Sequence, residues 1–203
     1  TDAARAAAAL ILTEPGLNVI IRGIEEARRI FERMTSYTIY RIAMTTNIMF
    51  FIVLATLVYG SFPLTPLMII ALALLDDLPI LTIAFDNATV APKPVRWNMK
   101  ELLITSSVLG ATAVVQSFGL MMIGESYLKL DEAHMQTMMF LQLLVGGHLL
   151  LLVARSKGFF LKPPFPNRKL LGAVLLTQVF AVFMCAFGWG VPTLPWSIIG
   201  FVW

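Results

Sequence analysis

MIIALALLDDLPILTIAF, residues 68–85, decides how this chain is read. The stretch is long and apolar enough to cross a bilayer, yet Asp76, Asp77 and Pro79 interrupt its middle. An aspartate at the centre of a spanning helix costs about 2.5–3.5 kcal/mol on insertion scales, and such residues normally mark ion or proton pathways. Pro79 has no N–H to offer the carbonyl of Leu75, so that carbonyl is freed close to the carboxylates. Interrupted helices whose loose carbonyls line a mid-membrane cavity are a recurrent transporter device.

The remainder of the chain requires the same setting. Its 203 residues are 58% hydrophobic, with a mean hydropathy of +0.81, which excludes an ordinary soluble domain. The fold class expected is an all-α polytopic membrane protein. Full spans are predicted at 38–59, 64–85, 101–123, 138–154 and 170–188, with a partial one at 196–203. Cations alternate between the connections. DNATVAPKPVRWNMK carries Lys93, Arg96 and Lys100, and RSKGFFLKPPFPNRK carries Arg155, Lys157, Lys162, Arg168 and Lys169. GSFP and GWGVPTLP carry none, and GESYLKLDEAHMQ carries only Lys129. Six arginines precede or open the first span. The positive-inside rule then places the N-terminal end and both basic connections in the cytoplasm.

Ahead of the spans, AALIL (8–12) reads as a short strand and TEPG (13–16) as a turn. The opening TDAARAAAAL shows no basic region followed by an apolar one, so no signal peptide is expected, and both ends read as cut from something longer. From Leu17 an amphipathic helix follows, with Leu17, Ile20, Ile21, Ile24, Ala27, Phe31 and Met34 on its apolar face. Its charged face offers Arg22/Glu26, Glu25/Arg29 and Arg28/Glu32 as i,i+4 pairs and reads as solvated. Neither glycine nor proline occurs between Gly23 and Gly60. Residues 24–59 therefore allow one helix of about 54 Å, able to carry movement from the cytoplasm to mid-membrane.

Counted from Leu64, Asp76 and Asp77 lie about 18–20 Å deep, and Asn47 lies at a similar depth in the preceding span. The four-residue connection predicts that these two spans pack together, so that Asn47, Leu75, Asp76, Asp77 and Pro79 make one ion site. Adjacent helical residues point about 100° apart, so the two carboxyls need not share a cavity. If they do, both cannot stay ionised, and one becomes a proton carrier. His148 reads as a packed helix residue rather than a ligand. Gln116, Gln142 and Gln178 read as interhelical hydrogen-bonding amides. The single cysteine, Cys185, excludes an internal disulfide. No metal-ligand cluster or nucleotide-binding loop is evident, and no nucleic-acid partner is expected.

TDAARAAAALILTEPGLNVI followed by EEARRIFERMTSYTIYRI resembles the end of the phosphorylation domain and the next stalk helix of a P-type ATPase. FPLTPLMIIALALLDDLPILTIAFDNA, and VARSKGFF before a Pro-rich basic loop, resemble the plasma-membrane proton-pumping class, class IIIA. The resemblance implies ten membrane helices, of which this chain supplies the last six, the sixth incomplete. It divides the chain into 1–16, a fringe of the phosphorylation domain, 17–37, a cytoplasmic stalk helix, and 38–203, the membrane domain. It also implies ATP and Mg2+ as cofactors of the complete protein, none bound by this stretch, and a location in the plasma membrane. The partners implied are lipid, the remaining helices and cytoplasmic domains of the same pump, and the transported proton or cation.

By the same resemblance, Asp77 matches the proton acceptor of the interrupted helix. Two departures bear on it: Asp76 replaces a residue that is usually Asn or another type, and Asn47 stands where plant-type pumps often have arginine. The resemblance thus implies an Asp77 without its counter-ion. A third departure, Ala9 in place of the more usual Asp, touches only the soluble fringe. No DKTGT, TGES or TGDG motif occurs in these residues. The competing expectation from the residues alone is an ATP-independent transporter or channel that uses Asp76 and Asp77 as a relay.

Overall fold

The computed structural model describes residues 2–9, 11, 16, 18–90, 96–156 and 163–203. They form helices α1 (Asp2–Ala7), α2 (Asn18–Tyr59), α3 (Pro66–Thr82), α4 (Met99–Ser126), α5 (Glu132–Ala154), α6 (Arg168–Phe187) and α7 (Trp196–Val202). A single 3₁₀ turn, Ile83–Phe85, prolongs α3. Helices α2 to α6 are long and apolar enough to cross a membrane. No strand occurs among the described residues, and Ala8, Ala9 and Ile11 of the expected strand are irregular. Leu10, Leu12, Leu17, the turn residues 13–15, Lys93, Lys157 and Lys162 lie outside the described residues.

Helix α2 runs unbroken through 42 residues, about 63 Å. Thr35, Ser36 and Thr38 sit where the sequence would permit a break. Instead each hydroxyl donates to the carbonyl four residues back, at 2.9, 3.1 and 2.8 Å. These local bonds satisfy the polar side chains without diverting the backbone from the helix. The helix ends at Gly60, whose φ of 71° suits a residue without a Cβ. Glu26 finds partners other than the expected Arg22. Glu26 takes Arg29 at 3.1 Å and Arg33 at 3.0 Å, and their hydrogen bonds hold its carboxyl below the usual range.

The other helix ends follow from local sequence. Thr65 caps α3 by accepting from the N–H of Met68, and Pro66 fits the first helical turn. Asn98 caps α4 by accepting from Glu101 N–H, while its own amide reaches the Glu101 carboxylate. Asn167 caps α6. Gly188, at φ 72°, closes α6 in the left-handed conformation.

The packing corrects the expected pairing of the first two spans. Helix α2 lies chiefly along α4, whereas α3 lies along α6 and α5. The reason is surface shape. Helix α4 turns Ser106, Gly110 and Ser117 inward. A Cβ on Gly110 would come within 3.0 Å of the Ala43 carbonyl oxygen and of Thr46 Cβ. Without a hydrophobic force between helices in lipid, such close backbone approach decides which helices associate, and sequence adjacency does not.

Helix α5 is the central post, touching α2, α3, α4, α6 and α7. Its run from Met138 to Leu144 is buried throughout, which explains why its sequence is apolar on all sides.

Candidate ion site and its basic-end latch

Asp77 lies eleven residues into α3, about 17 Å from its start. Its carboxylate meets the guanidinium of Arg41 on α2 at 3.3 Å. Both side chains are about half exposed (51% and 50%). They stand between two apolar stripes, Tyr37 and Met49 on α2 and Leu74, Leu78 and Leu81 on α3, all exposed in this stretch. A charged pair on a membrane-crossing helix needs protein or water over it, because hydrocarbon leaves it unsolvated.

Asp76 points elsewhere. It is only 3% exposed and turns into the bundle, where its Oδ1 lies 3.6 Å from His148 Nε2 on α5. The one-residue step along α3 thus separates the two carboxyls into an open pair and an enclosed one, as the 100° helical step allows. Pro79 is buried inside α3, which continues for three residues and then tightens into the 3₁₀ turn. Pro79 has no N–H to offer the Leu75 carbonyl four residues back.

Asn47 is not with the aspartates. It is buried beside α4 and α5, where Ser117 Oγ lies 3.4 Å from its Oδ1 and 3.3 Å from Gln142 Oε1. Helix α2 turns this face toward α4, and it is Arg41, six residues earlier, that meets Asp77. Asn47→Arg is therefore expected to lower the thermal stability of the complete protein without changing the pH profile of transport. A buried cation among Ser117 and Gln142 has no carboxylate to pair with. Parallel thermal-unfolding and transport measurements check both halves of this prediction.

Sequence reasoning misses two residues of the site. In the sequence Arg41 reads only as a topology-setting cation, yet it supplies the counter-charge that Asn47 lacks. His148 reads as a packed helix residue, yet its Nε2 lies 3.6 Å from Asp76 Oδ1. The available signals are an arginine three residues inside the first span and a histidine behind Gly146 and Gly147, where α5 is bare of side chains.

At the end of the bundle that carries the basic connections, a second polar network ties four segments together. Arg155 Nε donates to Asp86 Oδ2 at 2.5 Å, with both side chains nearly fully buried. Its Nη2 donates to the carbonyls of Asn87 and Pro164 at 3.2 and 3.0 Å. Asp86 Oδ1 accepts from Asn167 N–H at 2.8 Å, and Arg33 Nε donates to Asp86 O at 2.8 Å. Arg33 and Arg155 are thus structural bridges as well as topogenic charges, and the charged face of α2 is not solvated throughout. Among the described residues no His, Cys, Asp and Glu group suits a metal ion.

Membrane-crossing helices around a central post, with ionisable side chains gathered on a helix that carries an internal proline, define an ion-handling membrane domain. The family profile "Cation transporting ATPase, C-terminus" matches residues 61–194. The "Putative cation-transporting ATPase" of Methanocaldococcus jannaschii is 43% identical across the whole of this chain, which spans 25% of that protein. The "Plasma membrane ATPase" of Kluyveromyces lactis is 33% identical over 93% of the chain, which spans 21% of it. "Plasma membrane ATPase 2" of Saccharomyces cerevisiae is 35% identical over 93% of the chain, which spans 20% of it. The chain belongs to the P-type cation-transporting ATPases and is part of their C-terminal membrane region. It spans about a quarter or a fifth of the length of these relatives.

Proposed function

We propose that this stretch is the ion-translocating part of an ATP-driven cation export pump, with the proton as its cation and Asp77 as the proton acceptor. The observation that carries the reading is the Asp77–Arg41 pair, half open on the proline-containing helix α3. Family membership supplies the energy source, since the complete relatives are named as ATPases. ATP and Mg2+ would act in the parts of the complete protein that lie outside this stretch. The open face around Asp77 is then where the pump's other membrane helices complete the site.

In this reading residues 1–16 belong to the phosphorylation domain, 17–37 to the stalk and 38–203 to the membrane domain of a plasma-membrane protein. The gathering of Arg33, Arg155 and Asn167 at one end supports placing that end, and the start of α2, in the cytoplasm. Movement of the phosphorylation domain is passed along α2 to Arg41. When the pair closes, Arg41 favours the ionised carboxylate and proton release. When it opens, Asp77 takes up a proton. Arg41 also opposes return of the proton as an internal counter-charge.

The test uses the complete protein in sealed vesicles, with ATP-driven acidification and ATP hydrolysis measured together. Asp77→Asn is expected to lower acidification at least a hundredfold. Arg41→Gln is expected to retain hydrolysis but to sustain a smaller steady proton gradient. Normal acidification by Asp77→Asn would remove Asp77 as the acceptor. Normal hydrolysis by the unaltered protein without acidification would exclude the proton as the cargo.

A further inference from the structure

Three buried side-chain polar atoms among the described residues lack a hydrogen-bond partner: Tyr40 Oη, Asp76 Oδ1 and His148 Nδ1. They belong to one neighbourhood. Asp76 Oδ1 and His148 Nε2 are 3.6 Å apart, too far for a hydrogen bond and close enough for a bridge. Tyr40 packs in one cluster with Met44 and Ile80, and Met44 and Asp76 Oδ1 both border Gly147. Tyr40 and His148 are fully buried and Asp76 nearly so. Buried polar groups in folded proteins are almost always satisfied, so the unpartnered Asp76 Oδ1 beside the His148 ring calls for a partner.

Gly147 lets α5 come close to the carboxyl: a Cβ there would stand 3.3 Å from Asp76 Oδ1 and only 2.8 Å from Met44 Cε, so any larger residue would press on both. Thr177 Oγ1, 3.4 Å from His148 Nε2, closes the opposite side from α6. A water molecule in such a place typically takes about three polar partners. The charge balance restricts what else the site holds. A lone carboxylate in a dry bundle is strongly disfavoured, and Arg41 is already engaged by Asp77 on the other side of α3.

We propose that Tyr40, Asp76 and His148 form a second, internal proton site, in which one proton is shared by Asp76 and His148 through a bound water. This rests on the pump reading for its role in transport but not for its existence. In the transfer step the Asp76 carboxyl gives its proton to the water. The water passes a proton to His148 Nε2, and a neutral acid and base become an ion pair. No other bond changes and no net charge enters the site. The titratable and charged groups facing it are Tyr40 and Arg41 from α2, Asp77 from α3 and His148 from α5. From α6 only the Thr177 hydroxyl faces it. Helix α3 thus carries two proton-handling carboxyls, one exchanging at the open face and one enclosed against α5.

The test is infrared spectroscopy of the purified complete protein without ATP, following the C=O stretch of a protonated carboxyl in H2O and D2O. The proposal expects an isotope-sensitive band that is lost in Asp76→Asn and kept in Asp77→Asn. His148→Gln is expected to shift that band without removing it, because the carboxyl remains while its partner changes. That variant decides the matter even if Asp76→Asn does not fold. A spectrum unchanged in Asp76→Asn, or a band indifferent to His148→Gln, overturns the proposal. Because no turnover is needed, the failure of vesicle acidification would overturn the pump reading while leaving this site to be judged by its band.

Discussion

Arg155→Ala is expected to destabilise the membrane domain by about 3–5 kcal/mol, the range for removing one partner of a buried ion pair. The Arg155 and Asp86 side chains are only 3% and 5% exposed, so the carboxylate left behind would have little water to replace the guanidinium. The loss extends beyond the pair. Arg155 also holds the carbonyls of Asn87 and Pro164, and Asp86 holds the start of α6 through Asn167. One substitution therefore loosens the ends of α3 and α5 and the beginning of α6 together. Thermal unfolding of the complete protein in detergent measures the effect. Arg155→Lys is expected to recover little, because an ammonium cannot reproduce the fork that reaches three acceptors. The double variant Arg155→Leu with Asp86→Leu is expected to recover more than Arg155→Ala alone retains, since no charge is then left buried. A stability loss below about 1 kcal/mol in Arg155→Ala would mean that the pair is solvated and that the latch does not hold these ends.

Gly110→Leu is expected to rank second, with a loss of at least about 3 kcal/mol, the upper part of the range for overpacking. The seam between α2 and α4 has no slack at this position. The atom met first is the Ala43 backbone oxygen at 3.0 Å, which cannot rotate aside as a side-chain tip would. Gly110→Ala should cost less, because a single methyl needs only a few tenths of an ångström. Gly172→Ala is a suitable control, since a Cβ there meets nothing within 4 Å. Equal stability of Gly110→Leu and Gly172→Ala would show that α2 is held by contacts elsewhere. Because α2 carries Arg41, Gly110→Leu is also expected to separate ATP hydrolysis from ion transport in molecules that remain folded.

The elements legible in the sequence share one property: their signal is local. The apolar runs, the uninterrupted stretch from Gly23 to Gly60 and the Pro79 interruption each lie within one segment. They lead directly to the long α2 and to an α3 that tightens after its proline. The failures concern which helix face meets which neighbour. Helix α2 presents Asn47 to α4, and it is Arg41, six residues earlier on the same helix, that reaches Asp77. Partner choice is written in the small residues Ser106, Gly110 and Ser117 of α4, a pattern that becomes informative once the opposing backbone is known. Arg41 escapes notice because a cation near a membrane boundary has two uses, setting topology and pairing in the interior. Its long side chain allows it to reach from one role to the other.

The contact between Arg33 and the Asp86 carbonyl also has a mechanical meaning. It touches α2 eight residues before Arg41, about 12 Å along a stiff rod, and so acts as a fulcrum. Tilting the rod by about 10° around that point swings the Arg41 backbone by about 2 Å. The guanidinium and carboxylate stand 3.3 Å apart, so a swing of this size is enough to part them. The geometry works as a lever that turns a modest angular displacement at the exposed end of α2 into the making or breaking of a single charge contact.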